Sequence, residues 1–196
     1  MKLIKNTQDL LASLNLDAKS GLPIRNFQID SRKVTKNSVF FGLTGLKEDG
    51  SLYANDAIRK GASLAIVKES KILNSSAKSS KIILVKSPEK CLIESAKIAM
   101  ERYKGNIIGV TGSNGKTTTK NILKNCIKSS YATFQNYNNE IGLPLCALEL
   151  DSKNSTAIFE MGAAKSGDID LLSKIIKPNI GIITHIGHSH LDGLNS

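Results

Sequence analysis

Residues 107–118 read Ile-Ile-Gly-Val-Thr-Gly-Ser-Asn-Gly-Lys-Thr-Thr, so an apolar strand leads directly into a glycine-rich turn and then into a helix. A phosphate-binding loop needs this order, because glycines let backbone N–H groups turn inward around phosphate oxygens and a helix N-terminus adds partial positive charge. The ending Gly115-Lys116-Thr117 fits the pattern G-x-x-x-x-G-K-[ST], although Val110 holds the position of its first glycine. The alternative is a glycine-rich strand–helix turn without a ligand.

The loop residues have distinct predicted roles. Lys116 is expected to reach the β- and γ-phosphates of a nucleotide, and the Thr117 hydroxyl is expected to bind Mg²⁺. The predicted nucleotide contacts are Thr111, Gly112, Ser113, Asn114, Gly115, Lys116, Thr117 and Thr118.

An acidic residue and a histidine cluster follow two later strands. Glu160 ends the apolar run 156–160, and ligands of parallel sheets bind outside the carboxyl ends of strands. We therefore expect Glu160 to complete the Mg²⁺ shell begun by Thr117, as a hard oxygen ligand.

All three histidines of the chain fall within six residues, at His185, His188 and His190, at and beyond the end of the strand predicted over 179–185. One or two are expected to point at the phosphate site, and at least one is expected to cap the strand end. A zinc site is disfavoured, since no cysteine or acid at metal-finger spacing accompanies them.

Strands and helices alternate along the chain, which predicts an α/β fold with a parallel sheet flanked by helices. Helices are predicted over 7–16, 53–60, 88–103, 115–128 and 168–177, with one more whose first turn holds Pro144; strands are predicted over 24–29, 39–43, 64–67, 81–85, 107–111, 131–134, 156–160 and 179–185. We place a boundary between a small mixed N-terminal domain, residues 1–86, and a P-loop nucleotide-binding α/β domain, residues 87–196. The polar stretch 68–81 is predicted to be a surface loop.

Composition limits the class of protein. The 196 residues are 40% hydrophobic and 22% charged, which is ordinary for a globular protein. No apolar run approaches the roughly 20 residues that span a membrane, and the N-terminus does not resemble a secretory signal. We therefore expect a cytoplasmic protein without membrane insertion. The three cysteines are too few and too separated for a disulfide framework, and we expect them to be buried free thiols.

The net charge of +10 is concentrated in residues 1–104, which hold 19 Lys and Arg against 10 Asp and Glu. This excess suggests a polyanionic partner, either nucleic acid or a phosphorylated small molecule, but the alternative of a solvated, lysine-rich surface is favoured. Aromatic residues make up only 5% of the chain, Trp is absent, and the lysines are scattered singly, so a nucleic-acid partner is disfavoured.

Four stretches together resemble the Mur ligase family. The first combines 30–34 (DSRKV), 39–43 (VFFGL) and Asp49-Gly50, and the second is 111–120 (TGSNGKTTTK). The third is 136–145 (NYNNEIGLPL), which favours the D-Ala-D-Ala-adding type, and the fourth combines 159–163 (FEMGA), 167–169 (GDI) and 190–193 (HLDG). Three positions depart from the common pattern, namely Gln135 and Asn195 for Gly and His185 for Asn.

The resemblance implies ATP-dependent amide formation in peptidoglycan precursor synthesis. In that chemistry the γ-phosphoryl group of ATP activates the terminal carboxylate of UDP-N-acetylmuramoyl-tripeptide as an acyl phosphate, which the amine of D-Ala-D-Ala attacks. The resemblance makes Lys116, Glu160 and His190 catalytic, with Thr117 and Glu160 on one Mg²⁺ and His190 on a second.

Further residues gain roles from the same resemblance. Asn138 and Asn139 are expected to contact the substrate through their amides, and Ser31 and Arg32 are expected to bind the uridine diphosphate, since Arg suits phosphate groups. A monomer is expected. Family members continue past the length of this chain, so we expect these 196 residues alone to lack ligase activity. The alternatives are another P-loop phosphotransferase or NTPase, and a non-catalytic nucleotide-binding protein.

Overall fold

The computed structural model describes residues 2–17, 21–45, 48–69 and 79–187. The chain divides into two compact units, residues 2–95 and residues 96–196. Each unit has a four-stranded sheet in which every pair of neighbouring strands is parallel. The predicted α/β class is therefore confirmed, while the predicted boundary near residue 86 stays a prediction.

The first unit is built around a sheet with strand order β1-β2-β3-β4. Its elements are α1 (Thr7–Ser13), β1 (Asn26–Gln28), a 3₁₀ turn (Ser31–Lys33), β2 (Ser38–Gly42), a second 3₁₀ turn (Gly50–Tyr53), α2 (Ala54–Arg59), β3 (Leu64–Lys68) and β4 (Ile82–Val85). Helix α3 (Pro88–Arg102) follows. All five residues of β2 are buried, and Phe40 and Phe41 are fully enclosed. This strand reads as a continuous apolar run, because both faces of the parallel sheet are covered.

The second unit orders its strands β6-β7-β5-β8. The elements are β5 (Asn106–Thr111), α4 (Lys116–Cys126), β6 (Ser130–Ala132), α5 (Gly142–Glu149), β7 (Thr156–Glu160), α6 (Asp168–Ile176) and β8 (Ile180–Ile183). In the central pair of strands Val110 lies opposite Glu160, and on the other side of β5 Thr111 lies opposite Ile183. Parallel pairing therefore brings the phosphate loop, the end of β7 and the end of β8 to one edge of the sheet.

Element bounds differ from the predicted ones by a few residues at several ends. Helix α1 ends at Ser13, and Asn15 beyond it adopts a positive φ of 54°, which terminates the helix before the predicted Leu16. Helix α4 ends at Cys126, and Ser129 with a φ of 56° turns the chain into β6. Strand β7 has the predicted bounds.

The expectations for the cysteines, the loop over 68–81 and membrane spans have different outcomes. The expectation of three buried thiols is wrong for Cys126, which is exposed at the end of α4, and Cys91 is only partly buried, whereas Cys146 is buried. All three are free thiols. Most of the loop predicted over 68–81 lies outside the described residues. Within the described part of the chain no helix is long and apolar enough to cross a membrane.

Candidate functional site

The phosphate loop connects β5 to α4 and has the backbone that the glycine pattern predicts. Gly112 and Gly115 adopt φ values of 134° and 78°, which side-chain-bearing residues rarely adopt. A Cβ atom on Gly112 would also lie 2.3 Å from the Thr184 hydroxyl oxygen. The Lys116 ammonium donates to the Gly112 carbonyl at 2.5 Å and reaches the Ser113 carbonyl at 3.4 Å. The lysine therefore folds back over the loop, so that its charge lies beside the loop's own backbone.

The end of β8 supports the same loop from the other side. The Thr184 hydroxyl oxygen lies 3.1 Å from the carbonyl of Thr111 and 2.5 Å from that of Asn114, and its one hydrogen is shared between them. His185 Nδ1 lies 2.8 Å from the Ser113 hydroxyl oxygen, and the Ser113 N–H donates to the His185 carbonyl at 2.8 Å. Of the three histidines, His185 is thus placed at the phosphate loop.

His188 and His190 lie outside the described residues. Within the described residues no group of three or more His, Cys, Asp or Glu side chains could hold a metal ion. The role predicted for His190 stays a prediction.

Glu160 lies at the centre of a buried polar cluster. The residue is 4% exposed at the end of β7. Its Oε2 accepts a hydrogen bond from the Thr117 hydroxyl at 2.9 Å, and its Oε1 accepts one from the Asn138 amide at 3.1 Å. Its backbone N–H donates to the Thr133 hydroxyl at 3.1 Å. Three residues that are distant in sequence therefore fix both the carboxylate and the backbone of Glu160.

Lys120 is the residue at this cluster that sequence reasoning missed. Its ammonium lies 3.6 Å from Glu160 Oε2, and both side chains are only 5% exposed. Lys120 follows Lys116 by four positions in α4, and this spacing places two residues on the same helix face. The sequence carried that signal, but a lysine on a predicted amphipathic helix is ordinarily solvated.

The Thr117–Glu160 pair fits a magnesium ion. Mg²⁺ prefers octahedral oxygen ligands at about 2.0–2.1 Å, so adjacent ligand oxygens lie about 2.9 Å apart. Thr117 Oγ1 and Glu160 Oε2 are 2.9 Å apart, which is also the length of the hydrogen bond that joins them, so the fit rests on the chemistry of the two oxygens. A hydroxyl and a carboxylate are also hard oxygen donors of the kind that Mg²⁺ binds.

The two predicted substrate asparagines have different local roles. Asn138 donates to Glu160, and its carbonyl accepts a hydrogen bond from the Gly162 N–H at 2.8 Å. The Asn139 side-chain oxygen accepts from the backbone N–H groups of Ile141 and Gly142, where α5 begins. Asn139 therefore stabilises the start of α5, and a substrate contact by either residue stays a prediction.

A cavity of about 520 Å³ lies beside the phosphate loop. It is lined by Lys116, Asn138, Asn139, Glu140, Gly162, Ala163, Ala164, Asp168, Leu171 and Leu172. The Asp168 carboxylate accepts hydrogen bonds from the backbone N–H groups of Ala164 and Lys165, both at 2.9 Å, and these bonds lower its pKa. The cavity thus joins the loop lysine to polar side chains and to an apolar wall from α6.

The first unit has its own cavity at the carboxyl end of β1, with a volume of about 570 Å³. It is lined by Ile29, Asp30, Ser31, Arg32, Phe40, Glu48, Gly50 and Tyr53. Arg32 donates through Nε and Nη2 to the two Asp30 oxygens, at 2.9 Å and 2.8 Å, while its side chain is 86% exposed. This bidentate hydrogen bonding lowers the pKa of Asp30 to about 2.

Ser31 is less accessible than its neighbour Arg32. It is 9% exposed, and its carbonyl accepts a hydrogen bond from the Lys60 ammonium at 3.1 Å. Arg32 is therefore more accessible to a diphosphate than Ser31 is. The predicted diphosphate contact stays a prediction for both residues.

Comparison with known proteins identifies similar chains over both units. The profile of the Mur ligase middle domain matches residues 110–196, and that of the Mur ligase family catalytic domain matches residues 23–104. The chain is 36% identical over 200 residues to the UDP-N-acetylmuramoyl-tripeptide–D-alanyl-D-alanine ligase of Buchnera aphidicola, covering all of this chain and 43% of that protein. It is 35% identical over 176 residues to the Bacillus subtilis ligase of the same name, covering 88% of this chain and 38% of that protein.

Solved structures give the same result. MurF from Acinetobacter baumannii aligns with a TM-score of 0.79 at 27% identity, covering 94% of this chain and 41% of that one. MurF ligase from Thermotoga maritima in complex with ADP aligns with a TM-score of 0.73 at 35% identity, covering 85% of this chain and 39% of that one. The chain therefore spans about two fifths of the length of the relatives that it matches.

Proposed function

Because the chain belongs to the Mur ligase family of ATP-dependent ligases in peptidoglycan synthesis, we propose that its second unit binds the phosphates of ATP with Mg²⁺. The observation that carries this proposal is the Thr117–Glu160 contact at the mouth of a glycine-rich loop closed by Lys116. The Thermotoga maritima relative, whose structure holds ADP, supports it.

We propose the same reaction for the whole protein as for its relatives, the addition of D-Ala-D-Ala to UDP-N-acetylmuramoyl-tripeptide. The γ-phosphoryl group of ATP would pass to the tripeptide carboxylate, leaving ADP and an acyl phosphate, and attack by the amine of D-Ala-D-Ala would then form the amide and release phosphate. Bound Mg²⁺ would neutralise phosphate charge. Phosphoryl transfer of this kind depends on positioning and charge neutralisation more than on covalent chemistry by the protein.

In this mechanism the chain's own residues bind and orient. Lys116 moves its ammonium from the Gly112 carbonyl to phosphate oxygens, and the loop N–H groups donate to the same anion. Thr117 and Glu160 would hold Mg²⁺, and Asn138 keeps the Glu160 carboxylate turned toward Thr117. His190 is proposed as a ligand of a second Mg²⁺.

The first unit is proposed to bind the UDP end of the tripeptide substrate. Its cavity presents Arg32, whose planar guanidinium matches diphosphate oxygens and can exchange its partner Asp30, since the arginine side chain is 86% exposed while that of Asp30 is 26% exposed. The exposed Arg32 and the excess of basic residues in this half favour an anionic ligand.

Calorimetric titration with a non-hydrolysable ATP analogue and Mg²⁺ tests the nucleotide site. Lys116→Ala should weaken binding by about ten- to a hundredfold, because it removes charge-assisted hydrogen bonds to phosphate. The matched control is Lys174→Ala, which removes a lysine from an exposed pair with Asp170 in the same unit. Unchanged affinity in a folded Lys116→Ala variant would contradict the assignment.

A crossed titration tests the division of ligands between the two units. Arg32→Ala should weaken a UDP-sugar by about tenfold and leave the ATP analogue unaffected, whereas Lys116→Ala should do the reverse. If the UDP-sugar causes no thermal shift of the wild-type chain at millimolar concentration, the role proposed for the first unit is wrong.

A further inference from the structure

Lys120 is buried beside the carboxylate that we propose as a metal ligand, and no role in binding or catalysis has yet been given to it. The residue is 4% exposed, and its ammonium faces Glu160 Oε2 at 3.6 Å, on the same oxygen that accepts the Thr117 hydrogen bond. Burying a lysine costs solvation free energy that only a counter-charge offsets. Glu160 is the counter-charge that the structure places there.

The charges around Glu160 do not favour a free dication. Lys116 and Lys120 both point at this edge of the sheet from one face of α4, and the N-terminus of α4 adds about half a positive charge. The acidic side chains of the adjoining cavity are Glu140 and Asp168, and Asp168 is already held by two backbone N–H groups. The two lysines and the α4 N-terminus therefore repel a free dication at the proposed Mg²⁺ ligands, and the negative charge of phosphate would offset that repulsion.

We infer that Lys120 is the resident counter-cation of Glu160 and competes with Mg²⁺ for this carboxylate, so that the metal enters only together with the nucleotide polyphosphate. The inference rests on the proposed nucleotide site and adds a regulatory function to it. Lys120 is a positioning residue in this scheme: it neutralises and holds Glu160 in the nucleotide-free protein, and it makes free Mg²⁺ a poor ligand. Phosphate oxygens restore the negative charge that the site needs before the dication can bind.

Electrostatics predicts how Mg²⁺ affinity changes when Lys120 is replaced. Replacing Lys120 by a neutral side chain of similar length leaves a buried carboxylate without its cation. A dication is attracted to that carboxylate about twice as strongly as a monocation at the same distance, and at an effective dielectric of about 20 this attraction is large. Lys120→Met should therefore create affinity for Mg²⁺ that the wild-type chain lacks.

The experiment measures Mg²⁺ binding without nucleotide, by calorimetry and by the shift of the unfolding temperature, in the full chain. Wild type should show no saturable binding at submillimolar Mg²⁺, whereas Lys120→Met should bind at least about tenfold more tightly and gain thermal stability with Mg²⁺. Lys120→Arg keeps the charge and should behave as wild type. Lys174→Met removes an exposed paired lysine instead and should not change Mg²⁺ affinity.

Each outcome bears on the inference. It is overturned by tight Mg²⁺ binding in wild type, by unchanged or weaker binding in Lys120→Met, or by a Lys120→Met chain that stays unfolded at millimolar Mg²⁺. Adding Glu160→Gln to Lys120→Met should abolish the gained affinity, which identifies the carboxylate as its origin.

The titration is then repeated with the ATP analogue present. If no variant and no wild-type sample binds nucleotide, the proposed function fails. The comparison with Mg²⁺ alone still decides separately whether Lys120 and the metal compete for Glu160.

Discussion

The two units have the same kind of sheet but place their ion pairs in different surroundings. In the first, Arg32 pairs with Asp30 at 2.8 Å with the arginine 86% exposed, and in the second, Lys120 pairs with Glu160 at 3.6 Å with both side chains 5% exposed. An exposed pair contributes little to stability and exchanges partners at small cost, whereas breaking a buried pair leaves a charge without solvent. The first arrangement suits reversible capture of an anion, and the second suits a carboxylate held ready in one orientation.

The largest effect on stability is expected from the variant that breaks the buried pair. Glu160→Ala should lower the free energy of unfolding by about 3–5 kcal/mol, because Lys120 is left as an uncompensated buried cation. Denaturant unfolding of the nucleotide-free chain measures it. Asp170→Ala, which breaks the exposed pair with Lys174, is the control and should cost about 0.3–0.5 kcal/mol.

A double variant separates charge from packing at the same pair. Lys120→Met combined with Glu160→Leu should be clearly more stable than Glu160→Ala alone, since no charge is then buried. Equal losses in the buried and exposed single variants would remove the contrast between the two units.

The next effect concerns the phosphate loop, which the end of β8 supports. Gly112→Ala should lower the free energy of unfolding by about 1–3 kcal/mol, because the residue has a positive φ and a new Cβ meets the Thr184 hydroxyl. Gly181→Ala is the matched control, since a Cβ there meets nothing within 4 Å. Denaturant unfolding gives the stability and calorimetry with the ATP analogue gives the affinity, and similar results for both variants would argue against a strained loop.

A smaller effect is expected where β8 contacts the loop. His185→Ala should lower the free energy of unfolding by about 0.5–1.5 kcal/mol, as for one net hydrogen bond, because it removes the contact with the Ser113 hydroxyl. A double-mutant cycle with Ser113→Ala measures the coupling. A coupling energy of zero would mean that the imidazole does not brace the loop.

The smallest effect is expected at the exposed pair of the first unit. Asp30→Asn should cost about 0.2–1 kcal/mol at neutral pH. The folded-state pKa of Asp30 is about 2, below the ordinary value of 3.8, so the pair's contribution is present above pH 3.8 and is lost as the pH falls towards 2. The difference in unfolding free energy between wild type and Asp30→Asn should disappear over that window, and a constant difference would contradict the assignment.

Local sequence determined the elements and the chemistry of the loop. The run 156–160 has no competing helical period and became β7 with the predicted bounds, and the glycines before Lys116 formed the turn that only a residue tolerant of positive φ adopts readily. The pairing of Thr117 with Glu160 was also expected, because the ends of parallel strands meet at one edge. The strand and the turn depend on periodicity and backbone sterics, which act over a few residues, whereas the Thr117–Glu160 pairing follows from the rule for parallel strands.

Tertiary structure alone decided which polar residues are enclosed and which face solvent. Lys120 is buried, Cys126 is exposed in the same helix, and Asn139 stabilises the start of α5. Whether a lysine is solvated or paired depends on what a strand 40 residues later places opposite it, and the sequence around Lys120 does not contain that information. Burial and charge pairing are properties of packed neighbours, so they emerge only when the sheet brings distant strand ends together.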